Sequence, residues 1–195
     1  MPAAGGQVVE TDLVVRARSG DQGAFTLIVA TIARRFHGVA YAILRERTLA
    51  EDAAQAAMVA VWRDLPRLRD PQRFDAWAHR ILVNACYYEG RRARWRGIEF
   101  GEALATPVTT DDELHTVLDR DEIERGFRQL SVEHRAALVA HYYLDLPSDE
   151  AADMLGIPVG TYKSRLHRAS EAMRAVLAAE ARPMAFEASR EGGVR

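Results

Sequence analysis

Apolar residues recur at steps of three and four along most of this chain, a spacing that predicts helices rather than strands. Thr11 or Asp12 can cap a first helix that runs to about Ser19, and Gly20-Asp21-Gln22-Gly23 reads as a turn. Phe25, Ile28, Val29, Ile32, Phe36 and Val39 then mark one long helix from Ala24 to about Leu44. Thr48, with Glu51 three residues on, forms a capping box for a third helix, which runs to about Leu65 and stops at Pro66. Pro71 introduces a fourth, from about Arg73 into the basic run Arg91-Arg92-Ala93-Arg94-Trp95-Arg96. Its apolar stripe is Phe74, Trp77, Ala78, Ile81, Leu82 and Ala85.

After Gly97 the periodicity lapses. Gly101, Pro107, Thr109 and Thr110 fall in a stretch rich in Asp and Glu, where Arg120 is the one fixed positive charge between residues 99 and 124. Such a segment reads as a self-repelling, extended linker. Helical spacing resumes at about Leu114 and continues to Ala179. The expected fold is therefore all-α, with two helical domains joined by an extended acidic linker. The boundaries are a flexible tail (1–10), a first domain (11–97), the linker (98–117), a second domain (118–180) and a C-terminal tail (181–195).

Composition narrows the function classes. An apolar content of 48 % argues against wholesale disorder. The charge is nearly balanced, 26 basic against 28 acidic residues, so its distribution matters more than its sum. Cys86 is the only cysteine, which excludes an intrachain disulfide and fits a reducing cytoplasm. A buried, inert thiol is its plain reading. No basic segment followed by an apolar core opens the chain, and no run of about 18 apolar residues is evident, so no membrane insertion is expected. His134 and His141 lack a third ligand at metal-site spacing. No phosphate loop, nucleophile–base set or paired catalytic carboxylates stand out. The expectation is a protein that is not an enzyme and needs no cofactor or metal.

The sharpest local signal lies between Leu146 and Met173. Ser148 can cap a short helix with Asp149 and Glu150 in its first turn, where the helix dipole favours acids. Gly156 can close that helix in the left-handed conformation, and Pro158 suits the first turn of the next, which runs from Val159 to about Leu177. This is helix-turn-helix punctuation. The second helix would bury Tyr162, Leu166, Ala169 and Met173. It leaves out Lys163, Ser164, His167 and Arg168, with Arg165 beside them, donors of the kind that reach phosphates and guanine edges. The plainer alternative is a charged, solvated face.

In the first module, Asp52, Gln55 and Val59 share one helical face with Trp62 next to them, while Ala53, Ala56, Ala57 and Ala60 on neighbouring faces permit close packing. The stripe reads either as a partner surface or as a core tryptophan beside two surface polars. On the fourth helix, Arg80, Asn84, Tyr87 and Arg91 lie opposite the apolar stripe, followed by Arg92, Arg94, Trp95 and Arg96. Cations for a phosphate backbone interleaved with rings for unpaired bases suit nucleic acid. Helix-end cations explain Arg91 and Arg92 but not the whole stripe.

The segment from Ile157 to Ala169 (Ile-Pro-Val-Gly-Thr-Tyr-Lys-Ser-Arg-Leu-His-Arg-Ala) resembles region four of the extracytoplasmic-function (ECF) sigma factors of the sigma-70 family. Leu130-Ser131-Val132-Glu133-His134-Arg135 and Glu150 to Gly156 continue the match. Ala50-Glu51-Asp52-x-x-Gln55 with Val61-Trp62, and Phe74 to Asn84, are similar to region two, so the likeness covers about 11–96 and 124–178. The resemblance implies an alternative sigma factor, whose partners are core RNA polymerase, promoter DNA and an anti-sigma factor. It implies that Asp52, Gln55, Val59 and Trp62 dock on the β′ coiled coil, and that the second module meets the β flap. Arg80, Asn84, Tyr87, Arg91 and Arg92 would face the minus-10 element; Lys163, Ser164, Arg165, His167 and Arg168 would face the minus-35 element. Tyr162 and Pro147 depart from the family pattern, as do Ala56, Tyr87, Tyr88 and Gly90. His167 occupies a variable contact position. A conventional helix-turn-helix regulator is the alternative.

Overall fold

A computed structural model of the chain describes residues 9–96 and 123–191, with side chains through residue 178. The first module consists of α1 (Thr11–Arg18), α2 (Gln22–Leu44), α3 (Arg47–Asp64) and α4 (Phe74–Trp95). The second consists of α5 (residues 123–129), α6 (Val132–Leu138), α7 (Ser148–Leu155) and α8 (Val159–Glu191). A π-helical turn, Val139–Tyr143, extends α6. Among the described residues every regular element is helical, as the periodicity predicts. The expected linker, 98–117, lies outside the described residues.

Local chemistry accounts for the helix ends. Asp21 starts α2 by accepting from the Ala24 N–H at 2.9 Å, and its carboxyl lies below the usual value through that bond and through Arg16 at 2.7 Å. Glu46, not Thr48, caps α3: its two oxygens accept from Thr48 N at 2.9 Å and Leu49 N at 2.6 Å. A glutamate just before the first turn reaches two orphan donors at once, leaving nothing for the threonine hydroxyl to add. Pro66 follows the end of α3, in a short turn over Leu65–Arg67. Val9 is buried, so the first module begins inside the expected tail 1–10. At the other end, α8 runs to Glu191, past Pro183 and well beyond Leu177. The Ala-, Arg- and Glu-rich segment there favours helix strongly enough to carry the backbone through one missing donor.

By length and composition α2 is long and apolar enough to cross a membrane, although Arg34, Arg35 and His37 leave it without an unbroken apolar run. Its apolar stripe, Ile28, Ile32, Phe36 and Val39, is fully buried within the bundle.

The two helical domains are both present, and one apolar core runs through both. Ile28, Phe36 and Leu82 of the first module belong to the same buried cluster as Val132, Ala136, Met154 and Tyr162 of the second. A small satellite cluster of Leu130, Leu138 and Ala169 completes the second module. The reason is that α4 and α6 each carry apolar surface on more than one side, and burying it stabilises by roughly 25 cal/mol per Å². Gly90 sits at the seam. A Cβ there would come within 3.1 Å of a Val132 methyl. The glycine that weakens α4 by about 1 kcal/mol relative to Ala is what lets α6 approach.

A buried guanidinium spans the same seam. Arg135 donates from Nε to the Leu130 carbonyl and from Nη1 to the Leu44 carbonyl, each at 3.1 Å. Leu44 is the last residue of α2, so its carbonyl is one of the acceptors a helix terminus leaves open. Burial, reinforced by the charge of Arg45, pulls the Arg135 guanidinium down to about 10. Arg45 follows α2 in the left-handed conformation (φ 58°), a strained setting for a side-chain-bearing residue. Its guanidinium pairs with Glu124 at 2.7 Å and lies over the rings of Tyr41 and Phe127.

Two measurements check this account. Replacing Arg135 with Met leaves buried carbonyls without their donor and is expected to lower unfolding free energy by about 2–4 kcal/mol in urea. His79 is buried with Nε2 lacking a partner, and burial, aided by the charge of Arg35, holds its imidazole below the ordinary value of 6.5. The unfolded chain therefore takes up that proton first, so stability is complete above 6.5 and declines as pH falls below it. Urea midpoints are expected to drop more between pH 7 and pH 5 for the native protein than for His79→Phe.

Candidate nucleic-acid interface

The turn between α7 and α8 is built by Gly156, which takes φ 67° and ψ 35°. The N–H of Gly156 donates to Asp153 O at 3.2 Å and that of Ile157 to Ala152 O at 3.1 Å, the paired bonds that close a helix on a left-handed residue. Ser148 does not cap α7. It lies inside the first turn, and Pro147 precedes it without a side-chain bond. Asp149 and Glu150 supply the negative charge there.

On α8, Tyr162 and Ala169 are fully buried, while Leu166 and Met173 are half-buried. That anchoring turns Lys163, Ser164, His167 and Arg168 outward, with Arg165 half-buried beside them. His167 rests 3.4 Å from Glu171, and the Ser164 hydroxyl donates to Thr161 O at 2.9 Å. The second helix of the helix-turn-helix thus carries these donors on its outer side, with Arg165 the least exposed of them.

The α3 surface is equally plain. Asp52, Gln55, Val59 and Trp62 are all exposed, and Ala53, Ala57 and Val61 on the other side are buried. Val59 is 61 % and Trp62 44 % exposed, values that argue against a core tryptophan. The Trp62 ring leans on Phe25 at 4.4 Å, which fixes its orientation. Ala56 is exposed, contrary to its expected place on a packing face.

The α4 stripe is only partly free. Arg80, Asn84, Arg91 and Arg92 are exposed, and Trp95 is almost wholly so. Tyr87 is not available: its hydroxyl is buried without a partner, and burial pushes the phenol up to about 12. The Arg80 guanidinium lies across the Gly156 turn, 3.5 Å from where a Cβ would stand. Cys86, one residue from Tyr87, is buried, and desolvation pushes its thiol up to about 12, which disfavours the reactive thiolate.

Sequence reasoning did not single out Arg135, Arg45, Glu133 or Asp153, which lie at the seam between modules. A signal existed for one of them. Arg135 falls three residues after Val132 and four before Val139, on the apolar stripe of α6. An arginine on such a stripe needs buried acceptors.

With this geometry in hand, the likenesses to known proteins are informative. The sigma-70 region 2 family matches residues 28–96, and the sigma-70 region 4 family matches residues 120–173. The chain is 32 % identical over 167 residues to the ECF RNA polymerase sigma factor SigM of Mycobacterium tuberculosis, covering 82 % of this chain and 80 % of that one. Among solved structures it resembles CnrH in complex with the cytosolic domain of CnrY, with a TM-score of 0.61, 25 % identity, and coverage of 88 % of this chain and 99 % of that one. It shares its fold with the sigma factor RpoE solved in complex with the anti-sigma factor NepR from Bartonella quintana. There the TM-score is 0.63, the identity 23 %, and the coverage 78 % of this chain and 96 % of that one.

Tyr162, a departure from the family pattern, offers a local check. Its hydroxyl is buried without a protein partner. Tyr162→Phe is expected to leave thermal stability unchanged or to raise it by up to about 1 kcal/mol, measured by calorimetry, with the donor row of α8 undisturbed.

Proposed function

Because the chain belongs to the ECF sigma factors of the sigma-70 family, and is an alternative sigma factor rather than a free-standing regulator or an enzyme, we propose a division of labour among its three exposed surfaces. The family implies core RNA polymerase and promoter DNA as partners. The α3 face, Asp52 and Gln55 with Val59 and Trp62, docks the first module on the β′ coiled coil. Two polar anchors beside a half-seated ring make a small interface with a desolvated centre. Arg80, Asn84, Arg91 and Arg92 of α4 face the opened minus-10 strand, joined by Tyr87 once it is uncovered. Lys163, Ser164, Arg165, His167 and Arg168 enter the major groove at minus-35 while the second module rests on the β flap.

The observation that carries this reading is the placement of two donor rows on separate helices, within segments that match region 2 and region 4 in family order. Each row is modest. A good bidentate base contact contributes about 1–3 kcal/mol of discrimination, so neither row suffices alone. Held on one enzyme, the second contact becomes intramolecular and the two weak readers act as one strong one. We further propose a cytoplasmic site of action and restraint by an anti-sigma protein. The RpoE–NepR complex named above supports that assignment by fold alone.

Run-off transcription with core polymerase on a promoter library tests the reading: RNA chains are expected from a defined subset of promoters. Arg168→Glu is expected to abolish use of the minus-35 element, roughly tenfold or more in initiation, while polymerase pull-down stays intact. Asp52→Ala with Gln55→Ala is expected to do the reverse, losing polymerase in the pull-down and retaining weak duplex binding. Absence of any transcript at any promoter, or no association with core polymerase, refutes the reading.

A further inference from the structure

We propose that Tyr88 and Trp95 form a two-ring platform on the outer side of α4, which stacks unpaired bases of single-stranded DNA without reading their identity. The proposal rests on the minus-10 assignment of α4 given above. It adds two binding residues to that surface and the chemistry by which they hold an opened strand.

Two large rings stand in solvent on this helix: Trp95 is 93 % and Tyr88 58 % exposed. Seven residues separate them, which brings both to one side of α4, about 10 Å apart along its axis. Arg91 lies three residues after Tyr88 and four before Trp95, and is exposed between them. Asn84 is exposed one turn before Tyr88. The order along that side is amide, ring, cation, ring. Tyr88 points about 100° away from its neighbour Tyr87, whose hydroxyl is buried. Neither Tyr88 nor Trp95 has another ring or a guanidinium stacked on it among the described residues. The core gains nothing from them, because α4 buries Phe74, Leu82, Val83 and Cys86 on its other side.

Charge selects the partner. From Arg80 to Arg96 every exposed charge on the helix is positive, at residues 80, 91, 92, 94 and 96, and the one acid in that stretch, Glu89, is buried. A protein seated on the two rings would need carboxylates for these arginines, whereas a nucleic acid carries an anion on every nucleotide. Duplex DNA keeps its bases stacked about 3.4 Å apart, so rings about 10 Å apart meet no bare base face there. A melted strand offers both partners, phosphates for Arg91 and Arg92 and uncovered bases for the rings. Every base has a π-face, so such a platform tolerates any sequence. Base discrimination then falls to Arg80 and Asn84, and the rings hold the strand apart from its complement.

Oligonucleotide binding to the full-length protein tests the platform, read as the anisotropy of a labelled oligo(dT) strand and of a duplex of the same length. Tyr88→Ala and Trp95→Ala are each expected to weaken single-strand binding about fivefold or more while the duplex value stays put. Trp95→Phe keeps a ring and is expected to recover most of the loss. Salt separates stacking from charge: Trp95→Ala is expected to leave the log–log salt slope at its native value, whereas Arg91→Gln lowers it by about 0.7. Single-strand affinity unchanged in both alanine variants, or a loss equally large on duplex, overturns the platform. Both side chains are exposed, so native helix content is expected by circular dichroism; if an alanine variant is unfolded, Tyr88→Gln and Trp95→Gln decide by the same comparison. Absence of any transcript from the native protein with core polymerase refutes the sigma-factor reading, whereas the oligonucleotide comparison alone decides the platform.

Discussion

A guanidinium removed from water must find oxygens, and Arg135 finds them on both sides of the seam. One lies at the foot of its own helix and one is the terminal carbonyl of α2. Everything else about the way the modules meet is arranged around that constraint. The α2 terminus can end in a left-handed Arg45 because the second module supplies Glu124 and the Phe127 ring to hold it. The α6 helix can lie against α4 because position 90 carries no side chain. Remove the close approach and the guanidinium is stranded; remove the guanidinium and two carbonyls are.

The three functional faces differ in what covers them, and the difference follows from the chemistry of each. The α3 face is open, with Val59 mostly and Trp62 nearly half in solvent, as suits the docking role proposed for it. The row on α8 is open except at Arg165. The α4 face is the one in contact with the second module. It combines rings and cations, the mixture we propose for unpaired bases, and those are what an apolar helix edged with carboxylates can pack against.

Departures from the family pattern acquire reasons in this setting. Gly90 weakens α4 by itself, yet Val132 occupies the space its side chain would fill. Tyr87, where aliphatic residues are more usual, spans a seam that has apolar and charged neighbours, its ring packed and its hydroxyl set near Arg165 and Glu133. Tyr162 fills the core beneath the α8 row with its full volume, and its hydroxyl is the one part that gains nothing from being there.

Much of this protein is legible from the residues alone. Apolar spacing set the number and order of the helices through α4, and Gly156 with Pro158 set the helix-turn-helix. Alternation around α3 and α8 placed Asp52, Gln55, Lys163 and Arg168 in solvent. These are local properties, decided by 3.6-residue periodicity and by backbone conformations open to glycine and proline. What neighbours one helix meets across a linker is not local. The burial of Tyr87, the buried Arg135, the left-handed Arg45 and the carboxylates of Glu133 and Asp153 beside arginines of the other module depend on how two apolar faces far apart in sequence come together. Pattern along a chain specifies that a face is apolar; only the tertiary arrangement decides which other face covers it, because burial energy scales with area and carries no address.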